Sequence, residues 1–110
     1  MESLLKANPM RYDKLVRDKI PEKIKANGDV PVTHVATAEE FRGKLSDKLV
    51  EEADEFRKNP TLEELADSQE VIDAILADRG WTREQLEEAR KEKAEKRGAF
   101  TQRIILDETR

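Results

Sequence analysis

The sequence predicts an all-α protein, a bundle of about four helices, and three observations carry that reading. Apolar residues recur with a helical period: at about 100° per residue, Phe41, Leu45, Leu49, Ala53 and Phe56 share one stripe. Start and stop signals recur along the chain, with Pro21, Thr37, Thr61 and Thr82 at helix openings and Asn27-Gly28, Pro60, Gly80 and Gly98 at the ends. There is no internal repeat and no low-complexity tract to suggest another architecture.

The first helix is short, about Pro21 to Ala26, because proline's fixed φ suits the first helical position and Asn27-Gly28 supplies a left-handed stop. Val30 to Thr37 alternates apolar with polar residues and reads as an edge strand or extended linker. His34, within it, reads as plain surface. Thr37 and Glu40 then resemble a capping box for the helix carrying Phe41 to Phe56, which ends before Pro60. Thr61 and Glu64 form a second such pair, opening a helix with Leu62, Leu65, Ile72 and Leu76 as its apolar stripe. Gly80 stops that helix, and Thr82 caps a last one from about Arg83 to Arg97. Phe100, Arg103 and the run Ile104 to Leu106 then suggest a strand, which would pair with Val32 to Val35 in a minor two-stranded β patch.

At 110 residues the chain is long enough for one domain with a modest core, residues 1–110, with 1–11 as a lead-in. Charged residues make up 42% and aromatics 5%, a balance that would favour disorder if the apolar residues were not periodic. Cysteine is absent, which excludes disulfides and thiolate chemistry and fits a reducing, cytoplasmic setting. The start MESLLKANPMRYDK lacks the apolar core of a signal peptide, and no run approaches membrane-spanning length, so no membrane association is expected. The net charge of −4 divides unevenly: twelve acids face five bases between Glu39 and Asp73, and eight bases face five acids between Arg79 and Arg103. An acidic total argues against duplex nucleic acid as the ligand.

The acids of the two central helices are the informative group. Glu52 projects from inside the Phe41–Phe56 stripe and Glu55 lies on its edge, so a solvated charge run is a poor account of Glu52. Folding the helices antiparallel about Asn59-Pro60 brings Glu55 level with Glu64 and Glu52 level with Asp67. Four converging carboxylates repel one another unless a hard divalent cation sits among them, and an all-oxygen set favours Mg²⁺ or Mn²⁺ over zinc. The bland alternative is that two acidic i,i+3 pairs form a solvated surface, and the Thr61 cap offers Glu64 a rival duty.

Basic residues supply the complement. Lys14, Arg17 and Lys19 fall within six residues near the start, and Lys93 and Arg97 continue the face of the last helix that begins at Leu86. Ordinary surface and snorkelling side chains would account for them. Together with a divalent cation they describe instead a site for a polyphosphate. With no P-loop present, hydrolysis by a metal-activated water fits better than phosphoryl transfer. The proton of that water would pass to Glu51 or Glu70, which stand off the apolar stripes.

Several stretches also match a known pattern. KLVRDKIPEKI, the Glu-Glu-x-x-Glu of Glu51, Glu52 and Glu55, EELAD with the following EV ending at Val71, and KRGAF-x-x-RI from Lys96 to Ile104 resemble the MazG-like, phosphoribosyl-ATP pyrophosphohydrolase-like family of all-α nucleotide pyrophosphatases. The resemblance runs from about Tyr12 to Leu106. It implies a Mg²⁺-dependent hydrolase that cleaves a nucleoside triphosphate, or a related nucleotide, to the monophosphate and pyrophosphate in nucleotide-pool housekeeping. It also implies assembly as a homodimer or higher oligomer, and places Lys96 with Lys93 and Arg97 among the substrate-facing cations. The family's Glu-x-x-Asp ligand pair matches either Glu64 and Asp67 or Glu70 and Asp73. Ala99 stands where the pattern often has a second glycine. The competing expectation is a non-enzymatic helical module for protein interaction.

Overall fold

The structure, a computed structural model, describes residues 10–110. Within them the chain forms four helices: α1, Ile20–Ala26; α2, Ala38–Lys58; α3, Leu62–Arg79; and α4, Arg83–Arg97. The all-α architecture is as the periodicity predicts. Of the predicted lead-in, residues 1–9 lie outside the described residues, and Met10 and Arg11 are exposed and non-helical.

Local signals account for the helix ends. Pro21 occupies the first turn of α1, and Gly28, at φ +89°, provides the left-handed exit. The Thr37 hydroxyl accepts from the Glu40 backbone N–H at 3.2 Å, but the Glu40 carboxylate does not complete the box. It turns to His34, whose Nε2 lies 2.9 and 3.0 Å from its two oxygens, so His34 is tied down as an exposed partner of the cap. At the end of α3, Gly80 N–H donates to the Ala77 carbonyl and Trp81 N–H to that of Leu76, the paired bonds of a Schellman motif closed by Gly80 at φ +73°. The complete capping box belongs to α4, where the Gln85 side chain accepts from the Thr82 N–H at 2.8 Å. Sequence reading located the Thr82 cap without its Gln85 partner.

The chain divides into two compact units, one ending at Ile72 and one beginning at Asp73, with the boundary inside α3. It falls where the acidic middle of the sequence gives way to the basic C-terminal part. In the first unit Leu45 and Val71 are buried, and so is Glu52. The α2 face centres on Leu45 and Glu52, with Phe41, Leu49 and Phe56 half-buried; Ala53, expected in the stripe, is exposed. On α3 the stripe shifts further. Leu62 and Leu65 are 82% and 50% exposed, whereas Glu64, Asp67 and Ser68 are half-buried on the side of Val71. The α3 face of the first unit is therefore set by Val71 with Glu64 and Asp67, the flank of the expected stripe, rather than by Leu62 and Leu65.

In the second unit Leu76 is buried, and along α4 Ala94 alone is partly covered. The predicted β patch does not form: among the described residues there is no strand. Val32 to Val35 and Ile104 to Leu106 are non-helical and exposed, with Val35 at 98%. Alternating apolar residues favour extended backbone, but a strand also needs a ladder of hydrogen bonds, and these segments have none. Pro31 removes one donor, and a turn from Phe100 to Arg103, with Arg103 at φ +58°, interrupts the tail just before its apolar run.

Candidate metal centre

The centre is built from facing positions of α2 and the first half of α3. Each of Glu52, Glu64 and Asp67 places a carboxylate oxygen within 4.8 Å of the others. The competing duty of Glu64 is resolved by its backbone: Thr61 accepts from the Glu64 N–H at 3.3 Å, which leaves the carboxylate turned toward Glu52 and Asp67. Ser68 donates to the Glu64 carbonyl one turn back, at 3.2 Å.

Glu52 is the deepest of the three, at 9% exposure. It makes no hydrogen bond among the described residues, and the nearest ammonium, that of Lys48, stands 3.7 Å away. Burial pushes its carboxyl above the ordinary value of 4.5; Lys48 opposes that rise, and the charges of Asp67, Glu51 and Glu64 add to it. A buried acid among other acids, without a directed partner, could hold a cation.

Two cations border the triad. Arg17 donates to Asp67 Oδ1 at 2.8 Å, joining the segment before α1 to α3. Lys48 stands on α2 three and four residues ahead of Glu51 and Glu52 and reaches both, with its Nζ 2.6 Å from Glu51 Oε2. That contact is an ion pair without hydrogen-bond alignment, since Oε2 has no aligned donor. Glu51 Oε1 accepts from Lys14 at 2.9 Å. Glu51 is consequently held below the usual carboxylate range, first by Lys48 and then by Lys14, against partial desolvation. The Lys14 ammonium is raised, chiefly by the hydrogen bond to Glu51. Lys44 donates to the carbonyl of Asp13, whose φ of +47° sets the turn that delivers Lys14.

Of the residues expected at a metal site, three of four are brought together. Glu55 is exposed and outside the close group, within electrostatic reach of Lys14. Glu70 is exposed on α3, and Asp73 is gripped through both oxygens by Arg83, with Nε to Oδ1 at 3.0 Å. The alternative pair Glu70 and Asp73 is thereby disfavoured. Lys14 and Arg17 contact acids of the site, whereas Lys19 is exposed at the start of α1. Lys93, Lys96 and Arg97 are exposed in the second unit, where Lys96 pairs with Glu92 at 3.1 Å. Lys48 was missed. Its i,i+3 and i,i+4 spacing to Glu51 and Glu52 was the signal that would have found it.

The donor set fits a hard divalent cation: all-oxygen, anionic, partly dehydrated and drawn from two helices. Comparison with protein-family models, curated proteins and solved structures returns no match. Among the described residues no helix is long and apolar enough to cross a membrane.

Proposed function

We propose that the chain is a Mg²⁺-dependent nucleoside triphosphate pyrophosphohydrolase that yields a nucleoside monophosphate and pyrophosphate, with Mn²⁺ able to replace Mg²⁺. The observation that carries the reading is the buried, incompletely partnered Glu52 set against Glu64 and Asp67. The sequence resemblance to MazG-like enzymes supplies the reaction class.

In this reading Glu52, Glu64 and Asp67 hold the ion, with Glu55 joining from the next turn of α2. When bound, the ion supplies Lewis acidity toward water and phosphate oxygens. Arg17 and Lys14 already lie at the edge of the acidic group and offer positive charge to a polyphosphate, which a single divalent ion does not neutralise. Glu70, exposed on α3 and outside the triad, is the better of the two proposed bases, because both oxygens of Glu51 are occupied by lysines. The resemblance also assigns Lys19, of the first unit, and Lys93, Lys96 and Arg97, of the second, to substrate phosphate.

A homodimer or higher oligomer belongs to the same proposal. Leu45, Val71 and Leu76 are the buried apolar side chains among the described residues, while Phe100, Ile104, Ile105 and Leu106 are all more than three-quarters exposed. A second copy covering such a tail would remove that apolar surface from water.

The test is pyrophosphate release from a panel of canonical and modified nucleoside triphosphates, with Mg²⁺ and with excess chelator. Release that requires metal is the expected result. Absence of turnover on every nucleotide would favour a helical interaction module instead.

A further inference from the structure

Lys48 is placed unlike Lys14, the other lysine that contacts Glu51. Its side chain is 17% exposed, against 45% for Lys14. Part of that burial belongs to the aliphatic stem, and the ammonium at its end is directed to nearby anions. Two are present: Glu51 at 2.6 Å, and the triad's own Glu52 at 3.7 Å on the same helix. Glu51 is shared, since its second oxygen accepts from Lys14. The carboxylate of Glu51 thus fixes two ammoniums beside the acids without itself entering the close group of three.

An ammonium beside Glu52 provides positive charge to that acid, weakly and from one side, while Arg17 pairs with Asp67. A divalent cation among Glu52, Glu64 and Asp67 would compete for the same carboxylate and repel Lys48. The longer contact, to Glu52, is the one to break. The shorter contact, to Glu51, would keep the ammonium from leaving, so that the side chain would pivot while remaining at the edge of the site.

We infer that Lys48 is the resident counter-ion of Glu52, tethered by Glu51, that a divalent cation displaces from Glu52 and that then serves as a binding group for substrate phosphate. The phosphate role rests on the pyrophosphohydrolase reading. Displacement by metal does not. Glu51 becomes a positioning residue in this account, and its two lysines act on the polyphosphate as a pair.

The test measures Mn²⁺ alone, by calorimetry, on the full chain and its Lys48→Gln variant. Loss of a competing cation should tighten metal binding about three- to tenfold, whereas a merely structural role would weaken it. Lys48→Arg should stay near wild type. Equal or weaker binding by a folded Lys48→Gln chain overturns the inference. Should that variant fail to fold, the wild-type protein still decides: the Lys48 side-chain NMR resonance, assigned through Lys48→Arg, must shift as Mg²⁺ is added, and an unmoved resonance overturns the inference. In turnover, Lys48→Gln should raise KM for a triphosphate about fivefold with kcat changed less. A wild type that binds metal but turns over no nucleotide would defeat the pyrophosphohydrolase reading and leave the metal measurement to decide the counter-ion role.

Discussion

Glu52 of α2 and Asp67 of α3 bring carboxylate oxygens within 4.8 Å of each other, and each has a cation at its outer side, Lys48 for Glu52 and Arg17 for Asp67. The two acids face each other across the Asn59-Pro60 turn, and Glu64 closes the group. Like charges at this range raise the free energy of the metal-free chain, and a divalent ion would reverse the sign of the interaction.

Metal affinity should therefore depend on this pair. The Glu52→Gln, Asp67→Asn double variant is expected to lose at least tenfold in Mg²⁺ affinity by calorimetry, the order of one or two lost charge contacts. Equal binding would place the ion elsewhere.

Stability should move the other way. Glu52→Gln removes an ionised group that is buried without a hydrogen bond, so the metal-free variant should be more stable at pH 7 by about 1–2 kcal/mol, or ~5 °C in Tm. Because the folded Glu52 carboxyl lies above 4.5, the native chain holds a proton that the unfolded chain has already released, and stability falls as pH rises through that interval. The gain from Glu52→Gln should then be small near pH 4.5 and reach a plateau above the raised value. Glu51 works oppositely. Its lowered carboxyl stabilises the fold above 4.5 and loses that contribution as pH falls through the lowered value. Thermal melts of both Gln variants across this range check the two signs.

The sequence showed the helices because their signals are local: Pro21, Thr37, Gly80 and Thr82 act on neighbouring backbone. Glu52 was legible for the same reason, since its place in the apolar stripe follows from spacing on one helix. Which face α3 turns inward was less so. Leu62 and Leu65 looked like core, yet Val71, Glu64 and Asp67 share the covered side. That choice depends on packing between helices, on which periodicity is silent. The β patch failed for a related reason: Val32 to Val35 and Ile104 to Leu106 have strand-like composition, but pairing requires a partner that no local pattern supplies.

Arg17 should matter to turnover more than to folding. Its bond to Asp67 is half-exposed, so Arg17→Ala should cost less than about 1 kcal/mol in stability. With substrate phosphate as its proposed partner, the same change should lower kcat/KM at least tenfold. Unchanged kinetics in a folded variant would make Arg17 a structural tether only.

The assignment of Glu70 as base separates from that of the ligands. Glu70→Gln should lower kcat about a hundredfold, the typical worth of a general base, with Mg²⁺ affinity within twofold of wild type. A parallel loss of metal binding would move Glu70 into the ligand set.

The most direct measurement is the identity of the products. Phosphorus NMR of a nucleoside triphosphate incubated with the chain and Mg²⁺ should show the monophosphate and inorganic pyrophosphate growing together, and Glu52→Gln should abolish both signals. Diphosphate with orthophosphate, or an unaltered triphosphate spectrum across the nucleotide panel, would contradict the pyrophosphohydrolase account.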